Sequence, residues 1–352
     1  MSWAKRNIYF LVSCIVAVVL LGAAGWYCWS SYQSNEANWA QLKGAYDTLK
    51  TLADKPIARK PLRVGAYQVL SGDFHLHPAL GSGGSLTPWG LVTEAQRQGL
   101  DVIAVTGHNT TWDARVAHAF SRLVDGPIVL IGEEVTAKTQ DLVAVGIERT
   151  ISPFLPLRDQ IEEVHRQGGV AIAPHPTARF QAFYDGSGAT ALIDGTEVCH
   201  PLIYGIAEGA SDLASFASRT PAAPIGASDF HASGRVGTCR TFIFVDEPTE
   251  RGVLAAIRAH RTVVYGYNGR AFGDLDLVRQ ADAAGLRDVA ARYTEAQGSA
   301  LDWVSRIAAV GALIGLAITM KSRASRPAAE RRGYGPRAPV QFPKLRSSPP
   351  DP

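Results

Sequence analysis

Residues 101–108 read DVIAVTGH: an acidic start, four aliphatic residues, a Thr-Gly pair and a histidine. The same phrase recurs as VLSGDFHLH at 69–77, PIVLIGEE at 127–134, GVAIAPH at 169–175, LIDGTEVCH at 192–200, PIGASDFH at 224–231 and TFIFVDE at 241–247. Between them lie stretches of helical periodicity, among them TPWGLVTEAQRQG (87–99), PLRDQIEEVHRQG (156–168) and TERGVLAAIRAH (249–260). Short, almost continuously apolar runs separated by helices predict a parallel sheet covered by helices. About seven such units follow one another without a break, so a single closed α/β barrel is expected rather than two sheets.

The chemistry is concentrated at the ends of these runs. Of nine histidines, His75, His77, His108, His175, His200 and His231 lie at or just past a run, whereas His118, His165 and His260 fall within expected helices. In a parallel barrel the carboxyl ends of the strands open on one face, so the first six are expected to converge. His75 and His77 are two residues apart, as are Asp229 and His231, which on extended backbone projects each pair to one side. Glu134 ends another run and offers a carboxylate able to bridge two cations. Imidazoles mixed with carboxylates suit zinc, manganese or iron better than calcium or magnesium. No Gly-x-Ser-x-Gly elbow and no Walker-type Gly-Lys-Ser/Thr phosphate loop accompanies them.

Taken in order, DFHLH, AVTGHN, GEEVT, GGVAIAPHP, EVCHP and GASDFHASGRVG resemble the motifs of the polymerase and histidinol phosphatase (PHP) family. RGVLAAIRAHRTVVYG (251–266) looks like the family's closing helix and strand. The resemblance spans Gly72 to Tyr265 and implies a distorted (βα)7 barrel holding two or three divalent ions, with metal-dependent phosphoester hydrolysis as the commonest activity. The ligands it implies are His75, His77, His108, Glu134, His175, His200, Asp229 and His231. Glu134 is preferred over Glu133 because the family pattern is Gly, any residue, Glu. Asp73 matches an acidic position whose natural role is a hydrogen bond to a ligand histidine. Two departures stand out. Gly107 replaces the aspartate of the usual Thr-Asp-His, and Ser82, Gly83 and Gly84 stand where another ligand often follows, which leaves the third ion open. Asp229 and His231 are the candidates for proton transfer, and Arg179 and Arg235 for binding a phosphate.

The formal charge of +3 conceals three regions. Between Ser30 and Arg306 the balance is −5; from Lys321 onward, eight basic residues against two acidic ones give +6, among seven prolines. An acidic domain without a basic stripe argues against a nucleic-acid partner. Residues 8–29, IYFLVSCIVAVVLLGAAGWYCW, reach roughly 33 Å as a helix and are expected to span a membrane rather than to form a cleaved leader. Residues 307–320, with Gly311 and Gly315 as a GxxxG pair, are expected to form a second span. The positive segments flanking both spans would keep both termini in the cytoplasm and the barrel outside it. The basic tail then has a membrane lipid as its expected partner.

The expected organisation is therefore a stub and span (1–29), a helical linker (30–63), the barrel (64–270), a helical juxtamembrane segment (271–306), the second span (307–320) and a disordered tail (321–352). Cys199 and Cys239 lie in the barrel, where one disulfide and two buried thiols are both compatible with the spacing. The expected function is metal-dependent hydrolysis of a phosphorylated small molecule or polymer. The alternatives are a metal-holding ectodomain without turnover and a hydrolase acting on C–N bonds.

Overall fold

The structure, a computed structural model, describes residues 51–52, 57, 61–79, 82–201, 209–231, 235–267, 269–293 and 298–325. The apolar stretch 8–29, most of the linker and residues 326–352 lie outside the described residues, so the first span and most of the tail go unexamined. The chain divides into two units. The larger, Gly22–Val304, contains the barrel; the smaller takes in the last helix from Ser305 onward.

In chain order the strands are β1 (Thr51–Leu52), β2 (Leu62–Val64), β3 (Tyr67–Leu76), β4 (Val102–Val105), β5 (Ile128–Thr136), β6 (Asp141–Val145), β7 (Val170–Ala173), β8 (Gly195–Cys199), β9 (Ala223–Gly226), β10 (Thr241–Val245), β11 (Thr262–Tyr265), β12 (Ala271–Gly273) and β13 (Arg292–Tyr293). The helices are α1 (Pro88–Arg97), α2 (Trp112–Leu123), α3 (Leu157–Arg166), α4 (Ala178–Gly186), α5 (Gly209–Arg219), α6 (Glu250–Arg258), α7 (Leu275–Ala283), α8 (Leu286–Ala290) and α9 (Ala300–Ser325). Eleven strands form one sheet in the order β12-β11-β10-β3-β4-β5-β6-β7-β8-β9, with β2 on β3. β9 at one end packs against β11 and β12 at the other, so the sheet curls into a near-closed α/β barrel.

Strand alternation builds two layers. Val102 and Ala104 of β4, with Val170 and Ile172 of β7, join the inner core, which α6 plugs with Val253, Ala256 and Ile257. Their neighbours face outward: Ile103 and Val105 meet α1 and α2, and Ala171 and Ala173 meet α3. Each fully buried Val, Leu or Ile contributes roughly 1.5–3 kcal/mol. Helix starts are marked by polar caps: Thr87 Oγ1 accepts from Gly90 N at 3.1 Å ahead of Pro88, and Thr249 accepts from Gly252 N.

The sheet departs from an all-parallel (βα)7 barrel. β3, β4, β5, β7, β8, β9 and β11 run in one direction, whereas β2, β6, β10 and β12 run antiparallel to their neighbours. Parallel neighbours need a crossover of a dozen or more residues. β5 and β6 are instead joined by a tight turn in which Ala137 N donates to Gln140 O, and no described helix separates β9 from β10. The region 271–306, expected to be helical, also supplies β12 and β13, because the Gly266–Arg270 turn folds the chain back onto β11.

The expected membrane spans gain no support. Among the described residues no helix is long and apolar enough to cross a membrane. The uncharged stretch 307–320 reaches only about 21 Å as a helix, short of a bilayer core of about 30 Å. It forms part of α9, which runs past Lys321 to Ser325. The barrel cysteines form one disulfide, Cys199–Cys239, with Cα atoms 5.4 Å apart.

Candidate metal centre

Six of the seven codirectional strands, all but β11, deliver a ligand-type side chain to the same end. His75 lies within β3 and His77 just past it; His108 follows β4; Glu134 lies in β5; His175, His200 and Asp229 with His231 follow β7, β8 and β9. Backbone bonds lock these ends together. His77 N donates to Phe230 O at 3.0 Å, and His108 bridges the Glu134 backbone. His175 (φ 30°) and Asp229 (φ 47°) occupy left-handed backbone, a strain that persists only where surrounding contacts enforce it.

The histidines form two sets. Ligand atoms of His75, His175 and His200 lie within 4.8 Å of one another, as do those of His77, His108 and His231. Two carboxylates span both sets. Glu134 Oε1 lies 3.1 Å from His175 Nε2 and 3.5 Å from His75 Nε2, while Oε2 lies 2.9 Å from His108 Nδ1 and 3.4 Å from His77 Nε2. Asp229 Oδ1 lies 3.1 Å from His77 Nε2 and 3.4 Å from both His75 Nε2 and His231 Nδ1; its Oδ2 is 3.2 Å from His200 Nε2. Glu133 points away and accepts from Ile151 N, as the alternation of β5 requires.

The electrostatics match this crowding. Burial disfavours charge on His75, yet Asp229, Glu134 and Glu197 outweigh it and raise its pKa well above the ordinary value. Burial would likewise raise Glu134 and Asp229, but the imidazolium charge of His75, aided by the other histidines, holds both carboxyls well below the usual range. His77 goes the other way: burial, with help from the charge on His231, lowers it to about 3, so its ring is neutral.

Divalent ions fit this set. His75 Nε2, both ring nitrogens of His77 and Asp229 Oδ1 are buried without a hydrogen bond, a cost that coordination would remove. Nitrogen and carboxylate donors suit zinc, manganese or iron.

Two carboxylates absent from the expected set take part. Glu197 of β8 holds His75 Nδ1 at 2.9 Å and accepts from His175 N at 2.6 Å, which orients one ring and the backbone of a second. A lone glutamate inside the apolar run of β8 was the available signal, because a buried carboxylate needs a partner. Asp141 of β6 groups with Glu134 and His175 as a third set of ligand atoms, and burial followed by the charge of Glu134 pushes its carboxyl up to about 6. Only the antiparallel return of β6 brings it there. Asp73 acts differently from expectation: it accepts backbone N–H groups of Ser228 (3.0 Å), Gly237 (2.9 Å) and His75 (3.4 Å) and so ties β3 to the segment after β9. The imidazole of His75 is held by Glu197 instead. Arg179 is exposed in the first turn of α4 and has no ion pair among the described residues. Arg235 is only 7 % exposed and sits in the wall after His231.

Comparison with known proteins bears on this arrangement. A family model described as PHP-associated matches residues 213–262. A two-domain protein of Bacteroides vulgatus, described as containing a predicted PHP-like metal-dependent phosphoesterase, superposes with a TM-score of 0.52 at 21% identity, over 66% of this chain and 74% of that one. The fold is PHP-like. An uncharacterized protein of Methanocaldococcus jannaschii is 30% identical over 89 residues, 25% of this chain and 52% of that protein, so the match spans about half the relative's length.

Proposed function

We propose that the chain is a metal-dependent phosphoesterase whose reaction takes place at the joined ends of β3, β4, β5, β7, β8 and β9. The observation that carries this reading is the double span of Glu134 and Asp229: each carboxylate reaches histidines of both sets. In this reading His75, His175 and His200 would hold one divalent ion and His77, His108 and His231 a second, with Glu134 and Asp229 in reach of both sets. Asp141 with Glu134 and His175 forms an alternative set that shares His175 with the first, so two ions are expected. Such ions, when bound, supply Lewis-acid stabilisation of phosphoryl charge and activation of water near neutral pH.

The chain's own residues do the rest. Glu197 fixes the His75 ring so that Nε2 faces the centre. Asp229, with His231 Nδ1 in contact at 3.4 Å, is proposed to accept the proton. Arg179, exposed and four residues after His175 in the chain, is proposed to meet the non-reacting phosphate oxygens.

The test is hydrolysis by purified protein loaded with manganese or zinc, on an aryl phosphate and a panel of natural phosphoesters. Turnover that falls with His75→Ala supports the reading. Full metal occupancy without turnover would favour a binding ectodomain, and cleavage of amides instead would make it a C–N hydrolase.

A membrane tether through residues 8–29 is part of the proposal. The buried Cys199–Cys239 disulfide supports it, because such bonds persist in oxidising compartments. A reporter active only in the cytoplasm, fused ahead of the barrel at the amino terminus and in place of residue 30, should give signal from the first fusion alone; signal from both would reject the tether.

A further inference from the structure

Gly107 follows β4 directly before His108, and it has no room for a side chain. A Cβ there would overlap Asp113 Oδ2 and lie 2.6 Å from Ser82 Oγ. The space that a side chain at 107 would fill is thus taken by a carboxylate arriving from another element, the first turn of α2. Asp113 is fully buried, and Ser82 is 2 % exposed. Asp113 Oδ1 accepts from Ala114 N at 2.8 Å, and Oδ2 accepts from Ser82 Oγ at 3.4 Å.

Ser82 opens a turn that lies directly on the second histidine set. Gly83 has φ 77°, and a Cβ on it would sit 3.2 Å from His231 Cδ2; a Cβ on Gly84 would overlap the carbonyl oxygen of His77. Ser85 N donates to His231 O at 3.2 Å, and Gly84 N donates to Pro78 O. The backbone of residues 82–85 is therefore pressed against His77 and His231, with Asp113 behind it. Both sequence departures, at Gly107 and at Ser82, meet on this one carboxylate.

We propose that Asp113, admitted by the missing side chain of Gly107, is a positioning residue for the His77–His108–His231 metal pocket, acting through Ser82 and the turn it holds on His77 and His231. The inference rests on the functional reading in taking this pocket to bind a metal. The carboxylate of Asp113 occupies the space that a side chain at position 107 would fill, so the two positions are coupled. Substitution at one should be corrected by substitution at the other.

The test counts metal. Wild type and the variants Asp113→Asn, Ser82→Ala and Gly107→Ala are loaded with cobalt(II), dialysed, and assayed for ions per chain and for the visible cobalt absorption, alongside thermal unfolding. Wild type is expected to hold two ions. Asp113→Asn and Gly107→Ala are expected to bind one ion as wild type does and the second about 10- to 100-fold more weakly, as loss of an outer-sphere partner does elsewhere. Ser82→Ala should shift in the same direction. The double variant Gly107→Asp/Asp113→Ala, which returns a carboxylate to the same space, should recover the second ion, whereas Gly107→Ala/Asp113→Ala should not. A purely structural role for Asp113 would lower the melting temperature and leave the ion count unchanged.

Two equally tight ions in both Asp113→Asn and Ser82→Ala, or no recovery in the folded Gly107→Asp double variant, would overturn the proposal. So would a wild-type chain that binds fewer than two. If Asp113→Asn fails to fold, Ser82→Ala and the double variant decide. Absence of phosphoesterase turnover in wild type would sink the functional reading but not this inference, because the ion counts are independent of turnover.

Discussion

Glu134 and Asp229 converge on a single atom: Oε1 of the first lies 3.5 Å and Oδ1 of the second 3.4 Å from Nε2 of His75. The two carboxylates come from β5 and from the end of β9, separated by 95 positions in the chain, and their second oxygens diverge to different histidines. Their meeting point is fully buried, so removing either charge leaves the facing imidazoles with less counter-charge than they have in the intact centre.

Glu134→Gln is therefore expected to release metal from both histidine sets. Elemental analysis after dialysis should show loss of more than one ion, with activity reduced by at least about 100-fold. Retention of both ions at wild-type affinity would show that Glu134 is not shared.

Glu197→Gln should act more mildly. The amide preserves size but removes the negative charge on His75 Nδ1, so metal affinity is expected to fall by about 10- to 100-fold. A chelator-competition titration measures this, and an unchanged circular dichroism spectrum separates it from unfolding.

Without metal the centre should show a definite pH response. Burial opposes charge on His175, but Glu134, with Glu197 and Asp229, raises it to about 9, whereas its unfolded value is about 6.5. A raised folded pKa contributes stability fully present below the unfolded value and lost as pH climbs through the folded one. Glu134 and Asp229 are depressed, so their contribution is present above their unfolded values near about 4 and disappears as pH falls. Chelated protein should accordingly lose melting temperature between about pH 6.5 and 9. Metal binding requires neutral imidazoles and should tighten across that same window. Thermal unfolding with chelator and cobalt titration at both pH values check the two halves, and a flat melting temperature would contradict the first.

The Cys199–Cys239 disulfide closes a loop that contains both Asp229 and His231, with His200 next to one cysteine. Replacing both cysteines by serine is expected to cost about 2–4 kcal/mol in denaturant unfolding. Wild type in strong reductant should approach the double variant once unfolded.

Asp302, fully buried in the first turn of α9, accepts from Thr87 N at 2.9 Å and from the Thr87 hydroxyl, the same residue that caps α1. Asp302→Ala should destabilise the barrel by about 1–3 kcal/mol. Amide exchange in Pro88–Arg97 should rise with it, and unchanged exchange there would mean that the cap holds by itself.

How much of this was legible can be judged residue by residue. His75, His77 and Glu134 could be singled out because each ends an apolar run, and strand alternation assigns Glu134, not Glu133, to the inner face. The α/β class followed from the same runs alternating with helical stretches. The directions of β6 and β10 did not, since a run such as TFIFVDE carries no mark of its orientation and the length of the connection decides it. Asp141 and Asp113 were unreadable for a related reason: each is close to the centre only after a hairpin or a helix has turned back toward it.

What the sequence alone determined about this protein is a repeating pattern of buried runs, each closed by a histidine or carboxylate, because local burial and two-residue alternation are written in neighbouring residues. Folding in three dimensions sets which oxygen faces which imidazole, that Glu197 rather than Asp73 holds the ring of His75, and that Gly107 makes room for Asp113. These are relations between atoms of different elements, and they are set by packing, where the absence of one Cβ is felt by a carboxylate six residues on, in the first turn of α2.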